Sequence, residues 1–466
     1  MQADTPLRKS KAAASTGQTT GCAPARVLEI ELGEPLPSVP AIDHETGQHY
    51  QHAMCLIRLH TQPLGIVEFQ LMEEWTRPYD YIGRIWSALG SQINEHLRQD
   101  GLPLITELIE GGLPSTGTPR CIEERERFLA QAPFVSVIVP THDRPERIQL
   151  CLRSLLAQHY PQYEVIVVDN APSSTATADV IQQKYGHVDC IRYVREDRPG
   201  ASCARNRGIM LARGEILAFT DDDVVVDACW LVELVKAFSL APDVACTTGL
   251  LLPSELETPA QFWIEEFGGF SKGFNRHVFD MEENHPETPL YPYTAGRFGT
   301  GANMAFKAAF LRGVGGFDLA LGPASAARGG EDIAAFFQVI THGYKLVYEP
   351  AAAVYHPHHR DYTMLRKQVY NYGVGSMAYL MKSMLDNPRL LFDLIPKLPY
   401  CLFFILSNRS PKNSKKSEDY PGELTALELK GMLYGPFAYL YSRWRTRSVR
   451  RNTYREEITP GVGTEV

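Results

Sequence analysis

Three adjacent aspartates, Asp221, Asp222 and Asp223, close the apolar run GEILAFTDDDV. Neighbouring carboxylates repel, and burying one is costly unless positive charge sits beside it. Carboxylate oxygens, phosphate oxygens and water together satisfy the octahedral preference of Mg2+ or Mn2+. The triplet therefore fits a metal-bound nucleotide diphosphate. If the strand continued through it, Asp221 and Asp223 would share one side and Asp222 would face the other. A helix cap is the plain structural alternative, but a cap needs one carboxylate, and Asp227 is better placed to serve.

A second acidic centre is RGGED, with Glu331 and Asp332 opening a segment that carries Ile333, Phe336, Phe337 and Ile340 at helical spacing. The helix dipole favours carboxylates there, which is the structural reading. The chemical reading is a general base that takes the proton of an attacking hydroxyl. Histidines gather in YHPHHRDY. Zinc would want four tetrahedral ligands, and the cysteines are not placed to help, so one imidazole joining a divalent ion is the better reading. Asp169 ends the run YEVIVVDN, where it can accept from a base N–H or a sugar hydroxyl, or simply serve an Asp-Asn-Ala-Pro turn. Arg198, Arg205 and Arg207 flank a helix start, and both guanidinium groups and helix N-termini favour phosphate. Asn303 in GTGANMAF either reaches a sugar or acceptor or holds a strand end. Trp263, Phe267, Phe270 and Phe274 form either a stacking wall for a sugar acceptor or a packed core.

These residues need a scaffold that brings them together. From residue 134 apolar strands alternate with helices: strand 134–140, helix 143–158, strand 163–170, helix 175–186, strand 189–197, helix 201–214 and strand 215–223. Asp143 and Glu146 have capping-box spacing at the first of these helices. Such alternation predicts a parallel sheet covered on both faces. Ligands bind beyond the carboxyl ends of such strands. Pro140, Thr141, His142 and Asp143, then Asp169, the 198–206 segment and the aspartate triplet all fall there. Runs 244–253 and 299–306 read as further strands, and 255–298 as an insertion able to wall a pocket.

A chain of 466 residues exceeds one core, so two or three domains are expected. The reading is a disordered tail over 1–24, a small α+β domain over 25–101, a linker over 102–133, the main domain over 134–360 and a helical extension over 361–466. In the small domain, YQHAMCLIRLH and LGIVEFQLM read as a hairpin joined at TQP, followed by a helix with Ile82, Ile85, Trp86, Leu89, Ile93 and Leu97 inward. Net charge is −8, which gives no general field for nucleic acid. Nine scattered cysteines with no C-x-x-C pair fit reduced thiols and a cytoplasmic setting. The first residues lack the apolar core of a signal peptide. The apolar stretch 390–407 is broken by Asp393, Lys397 and two prolines, and is short of the ~20 residues of a spanning helix. The basic stretch 443–455, with Trp444 and Tyr454, either docks on anionic lipid at the inner face of a membrane or is a solvated tail.

Residues 134–223 resemble the family 2 glycosyltransferases, whose nucleotide-diphospho-sugar transferase fold is called GT-A. The matching pieces are VSVIVPTHDRPERIQLCLRSLLAQ, EVIVVDNAPS, RPGASCARNRGI and GEILAFTDDDV, and the likeness continues through GTGANMAFK, GGFD, GGED and VYHPHHR, over about half the chain. The resemblance implies an α/β fold with a GT-A-type mixed, mostly parallel sheet flanked by helices. It also implies roles. Pro140, His142 and Asp169 line the nucleoside pocket, with Thr141 and Asp143 beside them, although the family usually carries Tyr-Asn in place of His142-Asp143. Arg198 and Arg205 meet the nucleotide. Asp221 to Asp223 hold ribose and the metal-bound diphosphate, with Asp221, Asp223 and His356 on Mn2+ or Mg2+. Asp332 is the base, with Glu331 the second candidate. Outside the resemblance, Asn303 and Trp263 stand as the acceptor-side candidates read from the residues themselves. The attack comes from the face opposite the leaving diphosphate, so the sugar centre inverts. The implied donor is a nucleotide-diphosphate sugar, a UDP-sugar favoured. The implied acceptor is a sugar or a lipid-linked sugar, in polysaccharide or glycoconjugate synthesis. Two other readings stand beside this one. A sugar nucleotidylyltransferase would carry a Gly-rich loop after the first strand, and PTHDRPE has no glycine. A non-catalytic nucleotide-sugar binding module would have no need of intact acidic centres.

Overall fold

The computed structural model describes residues 23–44, 46–113, 117–268, 270–414 and 416–458, with side chains through residue 447. The expected tail up to residue 22, and the side chains of the basic stretch beyond Arg447, Tyr454 among them, lie outside the described residues.

A nine-stranded mixed sheet carries the candidate site. Its parallel part is Ile191–Glu196, Tyr163–Asn170, Val135–Thr141 and Ile216–Phe219, in that spatial order. These strands are apolar without alternation because both faces are covered. Val135, Val137 and Val139 pack on Ile148, Leu152, Leu155 and Trp230, while Ile138, Ile166 and Val168 pack on Ala204, Ile209, Phe306 and Phe336. Met304–Lys307 then runs antiparallel between Ile216–Phe219 and Val244–Pro253. Lys345–His356 follows, parallel to Val244–Pro253, and takes Val225–Val226 and His277–Phe279 as antiparallel partners. The fold class is thus the mixed, mostly parallel α/β sheet flanked by helices that the sequence leads one to expect.

A three-stranded sheet precedes it: Ala25–Glu31 parallel to His52–Leu59, which pairs antiparallel with Gln62–Gln70. Helix Pro78–Gln99 covers it with Tyr81, Ile85, Leu89, Ile93 and Leu97. The hairpin turn is His60-Thr61, since Leu59 pairs with Gln62, one step earlier than the sequence reading put it. The expected linker differs more. It contains a helix, Arg120–Leu129, whose buried Arg125 donates to Glu233 Oε1 at 2.7 Å on helix Trp230–Lys236. Arg58, also buried, reaches across to Asp227 at 2.6 Å. The small sheet is therefore tied to the main one by ion pairs.

After the last strand, helix Tyr362–Asp386 packs along helix Gly422–Ile458. Their backbones touch: a Cβ on Gly431 would lie 2.2 Å from the Tyr370 carbonyl oxygen, so only glycine permits this crossing. Shorter helices Arg389–Leu394 and Leu398–Leu406 lie between them in sequence. No described helix is long and apolar enough to cross a membrane.

One buried carboxylate pins the first strands. Glu164 accepts from Ser136 Oγ at 2.7 Å, Arg192 Nη1 at 2.7 Å and Arg213 Nη2 at 2.8 Å. Burial alone would raise its carboxyl, but these hydrogen bonds outweigh burial and bring it down to about 2. A carboxyl held below its unfolded value stabilises the fold above that value and loses the effect as pH falls. Stability should therefore drop between about pH 4.5 and about 2, by on the order of 3 kcal/mol from this group. Denaturant unfolding of the wild type and Glu164→Gln across that range should show this part of the pH dependence missing in the variant.

Candidate active site at the strand ends

Strand Ile216–Phe219 ends before the aspartates, which occupy the turn that follows. Side chains in a turn do not alternate as in a strand, so the expected pairing of Asp221 with Asp223 on one side does not hold. Asp222 is buried and accepts from Thr141 Oγ1 at 2.7 Å and Arg144 Nη1 at 3.0 Å. Burial pushes its carboxyl up to about 6 against those two partners. Asp223 accepts from Arg144 at 3.2 Å and Arg147 at 3.1 Å, and its Oδ1 lies 3.5 Å from His356 Nε2. Asp221 turns the other way and accepts from Arg205 Nη2 at 3.2 Å. Three guanidinium groups thus answer the three negative charges. Arg144 and Arg147 escaped the sequence reading, although the signal was there: two arginines in THDRPER, directly after the first strand.

Arg205 joins the two acidic centres. Its Nη1 donates to Glu331 Oε1 at 2.7 Å, both side chains being buried, and its Nε is buried without a partner. Burial raises the Glu331 carboxyl, and Arg205 works against that. Gly330, at φ 87°, makes the left-handed turn that starts helix Glu331–Thr341. Asp332, next along, is half-buried. Its Oδ2 accepts from the Gly301 N–H at 2.8 Å and its Oδ1 from Ile333 N–H at 2.8 Å. A Cβ on Gly301 would stand 3.0 Å from Asp332 Oδ2 and 3.3 Å from Arg205 Nη2, so these groups share one small space.

Asp169 closes its strand fully buried. Tyr193 Oη donates to its Oδ2 at 2.8 Å, while Oδ1 is buried with no partner. Burial raises its carboxyl. His142 is exposed, with Nδ1 2.7 Å from the Asn170 carbonyl oxygen, and Pro140 is partly exposed near the end of the neighbouring strand Val135–Thr141. Asp143 sits at φ 51° and accepts from Ser173 N–H at 3.0 Å. It does not cap the next helix, Arg147–Leu156, where Glu146 is the N-cap residue without a side-chain bond, so the expected capping box is absent. Arg198 holds Glu196 with Nε and Nη2, both at 2.8 Å.

Two acceptor assignments need correction. Asn303 is fully buried. Its Oδ1 accepts from Trp230 Nε1 at 2.8 Å, and its Nδ2 donates to the Leu250 and Ala352 carbonyls at 2.9 and 2.8 Å. The amide is spent on joining strands and helix and has nothing left for a substrate. The aromatic wall is likewise packing. Trp263 lies edge-on to Tyr362, 5.4 Å between centroids, and with Phe267 and Phe270 packs against helix Tyr362–Asp386. Phe274 belongs to a different cluster, with Leu250 and Leu252.

Asp223 and His356 put a carboxylate oxygen and an imidazole nitrogen face to face from separate elements, a donor pair that fits a divalent cation. His358 does not join them. It is buried and holds Glu265 Oε1 at 2.6 Å. Burial, with His356 nearby, lowers the His359 imidazole.

Residues 136–307 match the model of the family described as Glycosyl transferase family 2. The chain is similar to the glucosyl-dolichyl phosphate glucuronosyltransferase of Haloferax volcanii, at 27% identity over 40% of this chain and 56% of that protein. It is 41% identical to glycosyltransferase AglE of the same organism, over 23% of this chain and 36% of that protein. Among solved structures it matches a mannosyltransferase, PcManGT from Pyrobaculum calidifontis, in complex with GDP-Man and Mn2+. That match has a TM-score of 0.42 and 19% identity, over 70% of this chain and 94% of that one. The chain spans little more than half the length of the first of these relatives and about a third of the second.

The account of Asn303 has a measurable consequence. Asn303→Ala leaves the Trp230 N–H and two carbonyls unpaired in the core, and should cost about 2–4 kcal/mol in denaturant unfolding. A variant of wild-type stability would refute the structural role.

Proposed function

We propose, from the match of residues 136–307 to the family 2 glycosyl transferase model, that this chain is an inverting, divalent-metal-dependent glycosyltransferase. It moves a sugar from a nucleotide-diphosphate donor, a UDP-sugar favoured, to an acceptor hydroxyl in polysaccharide or glycoconjugate synthesis. The observation that carries the proposal is the single Arg205 guanidinium held between Asp221 and Glu331, which links the end of the aspartate-bearing turn to the Glu331-Asp332 pair.

Asp169 offers its unpartnered buried oxygen to a nucleoside N–H, beside Pro140, Thr141 and His142. Asp222 and Asp221 orient the ribose and diphosphate side of the donor. Arg205, with Arg198 at the start of the same helix, faces negative charge developing on the leaving group. Asp223 and His356 would hold Mn2+ or Mg2+, which when bound supplies charge to neutralise the departing diphosphate. Asp332, fixed by the Gly301 and Ile333 N–H groups, takes the proton from the acceptor hydroxyl as its oxygen attacks the anomeric carbon. Glu331 is committed to Arg205 and positions it. Attack opposite the leaving group inverts the centre. A nucleotidylyltransferase is disfavoured because the loop after the first strand has no glycine to wrap a triphosphate.

Incubation with Mn2+ and a panel of nucleotide sugars, read by mass spectrometry, should reveal slow donor hydrolysis and transfer once an acceptor is supplied. Asp332→Asn should lower turnover at least about 100-fold, and full activity in that variant would exclude Asp332 as the base. Thermal stabilisation by donor without any turnover would favour a binding module.

The C-terminal helices support peripheral contact with an anionic membrane at the cytoplasmic face. Phe392, Ile395, Leu402, Leu433, Phe437 and Trp444 are exposed, and Arg443, Arg445 and Arg447 accompany them. Sedimentation with phosphatidylserine vesicles should bring the protein down, and Phe392→Glu with Phe437→Glu should leave most of it in solution. Equal pelleting of both proteins would count against this surface.

A further inference from the structure

Away from the strand ends, four potential metal ligands meet where the small sheet joins the main one. His60 Nδ1, His96 Nε2, an Asp100 carboxylate oxygen and Cys121 Sγ all lie within 4.8 Å of one another. Three of them converge on one atom: Asp100 Oδ2 is 2.7 Å from His60, 3.0 Å from His96 and 3.2 Å from Cys121. The two ring nitrogens are 3.1 Å apart. Side-chain exposure is 16%, 11% and 4% for His60, His96 and Asp100, so the cluster is largely shielded from water.

We propose that this cluster is a structural site for a borderline-soft divalent transition-metal ion, zinc foremost, bound by His60, His96, Asp100 and the Cys121 thiolate. Two imidazoles, one sulfur and one carboxylate make a complete tetrahedral set with no position left for substrate. Thiolate and imidazole together select against Mg2+, Ca2+ and Mn2+, so the ion here differs in kind from one held by Asp223 and His356. Bonds of about 2.0–2.3 Å in a tetrahedron put donor atoms roughly 3.3–3.7 Å apart, so the spacings of 2.7 to 3.2 Å around Asp100 Oδ2 open by about half an ångström, while the widest pair, at no more than 4.8 Å, closes by about one at most. Binding releases the Cys121 proton to solvent.

The surrounding chain is built to aim these groups. His60 and Thr61 form the two-residue hairpin turn with φ of 54° and 67°, a conformation that suits Asn-Gly and penalises a β-branched residue. The turn is held nonetheless: Glu31 accepts both turn N–H groups at 2.9 Å, and Arg125 Nη2 donates to Thr61 Oγ1 at 2.5 Å. Strain kept in place by several partners marks positions with a task. His96 and Asp100 share one face at the end of helix Pro78–Gln99, and Cys121 stands in the first turn of helix Arg120–Leu129. That second helix also carries Arg125, paired with Glu233 of the main domain. An ion at this point would fasten hairpin, helix end and connecting helix together, and so fix the small sheet against the catalytic one.

Cobalt reports the site without relying on activity. The full-length protein, stripped with chelator and titrated with Co2+, should develop a thiolate-to-cobalt charge-transfer band that saturates near one equivalent and disappears when Zn2+ is added. Asp223 and His356 supply no sulfur, so the band reports a cysteine ligand, and its dependence on Cys121 assigns it to this cluster. Cys121→Ser should abolish it. His60→Asn is the safer second variant, because asparagine suits a positive φ and removes a ligand without straining the turn. Its zinc affinity should fall at least tenfold, and zinc should raise the Tm of the wild type by clearly more than that of this variant. No charge-transfer band in the wild type, a band that survives Cys121→Ser, or equal zinc protection of His60→Asn would each overturn the proposal.

Discussion

The candidate site depends on one buried cation. Arg205 lies in the interior between Asp221 and Glu331, and the buried Glu331 carboxylate would be left without a counter-charge in the absence of that guanidinium. Asp221 sits in the turn after a central strand, and Glu331 opens a helix more than a hundred residues later. Their common partner is what joins two separate acidic motifs, with Asp332 beside it. A lysine could not replace it, because a point charge cannot hold two carboxylates in a fixed fork. The unpartnered Nε shows that even this residue is not saturated by protein atoms.

The same logic, charge met by charge across an element boundary, recurs where the small sheet meets the main one. Arg58 with Asp227 and Arg125 with Glu233 are both shielded from water. Buried pairs of this kind add little net stability but are costly to break, so they fix orientation more than they add strength. The connecting segment 102–133 is accordingly part of the architecture, since its helix supplies both Arg125 and Cys121.

Much of this was legible from residues alone. Unbroken Val/Ile runs between amphipathic segments gave the parallel half of the sheet, and the polar residues at their ends gave the rim. Where the reading failed, the cause was local. The aspartate triplet was read as strand, but the strand stops at Phe219, and in a turn the two-residue period no longer applies. Asn303 was read as a ligand contact because amides do both jobs; only the positions of Trp230, Leu250 and Ala352 decide between them. The aromatics around Trp263 look alike in a sequence whether they line a pocket or meet a helix a hundred residues away. The cluster of His60, His96, Asp100 and Cys121 was invisible because its members come from three elements, with only His96 and Asp100 at a readable spacing.

The contact between Gly330 and Gly375 links distant parts of the chain. A Cβ on Gly330 would stand 2.5 Å from the Gly375 carbonyl oxygen, and one on Gly375 would stand 3.0 Å from the Gly329 carbonyl carbon. Backbone rests on backbone there, with no side chain to absorb a shift. The long helix behind that contact is the one bound to the terminal helix with its exposed apolar face. A tilt of that long helix would therefore bear directly on the peptide just ahead of Glu331 and Asp332.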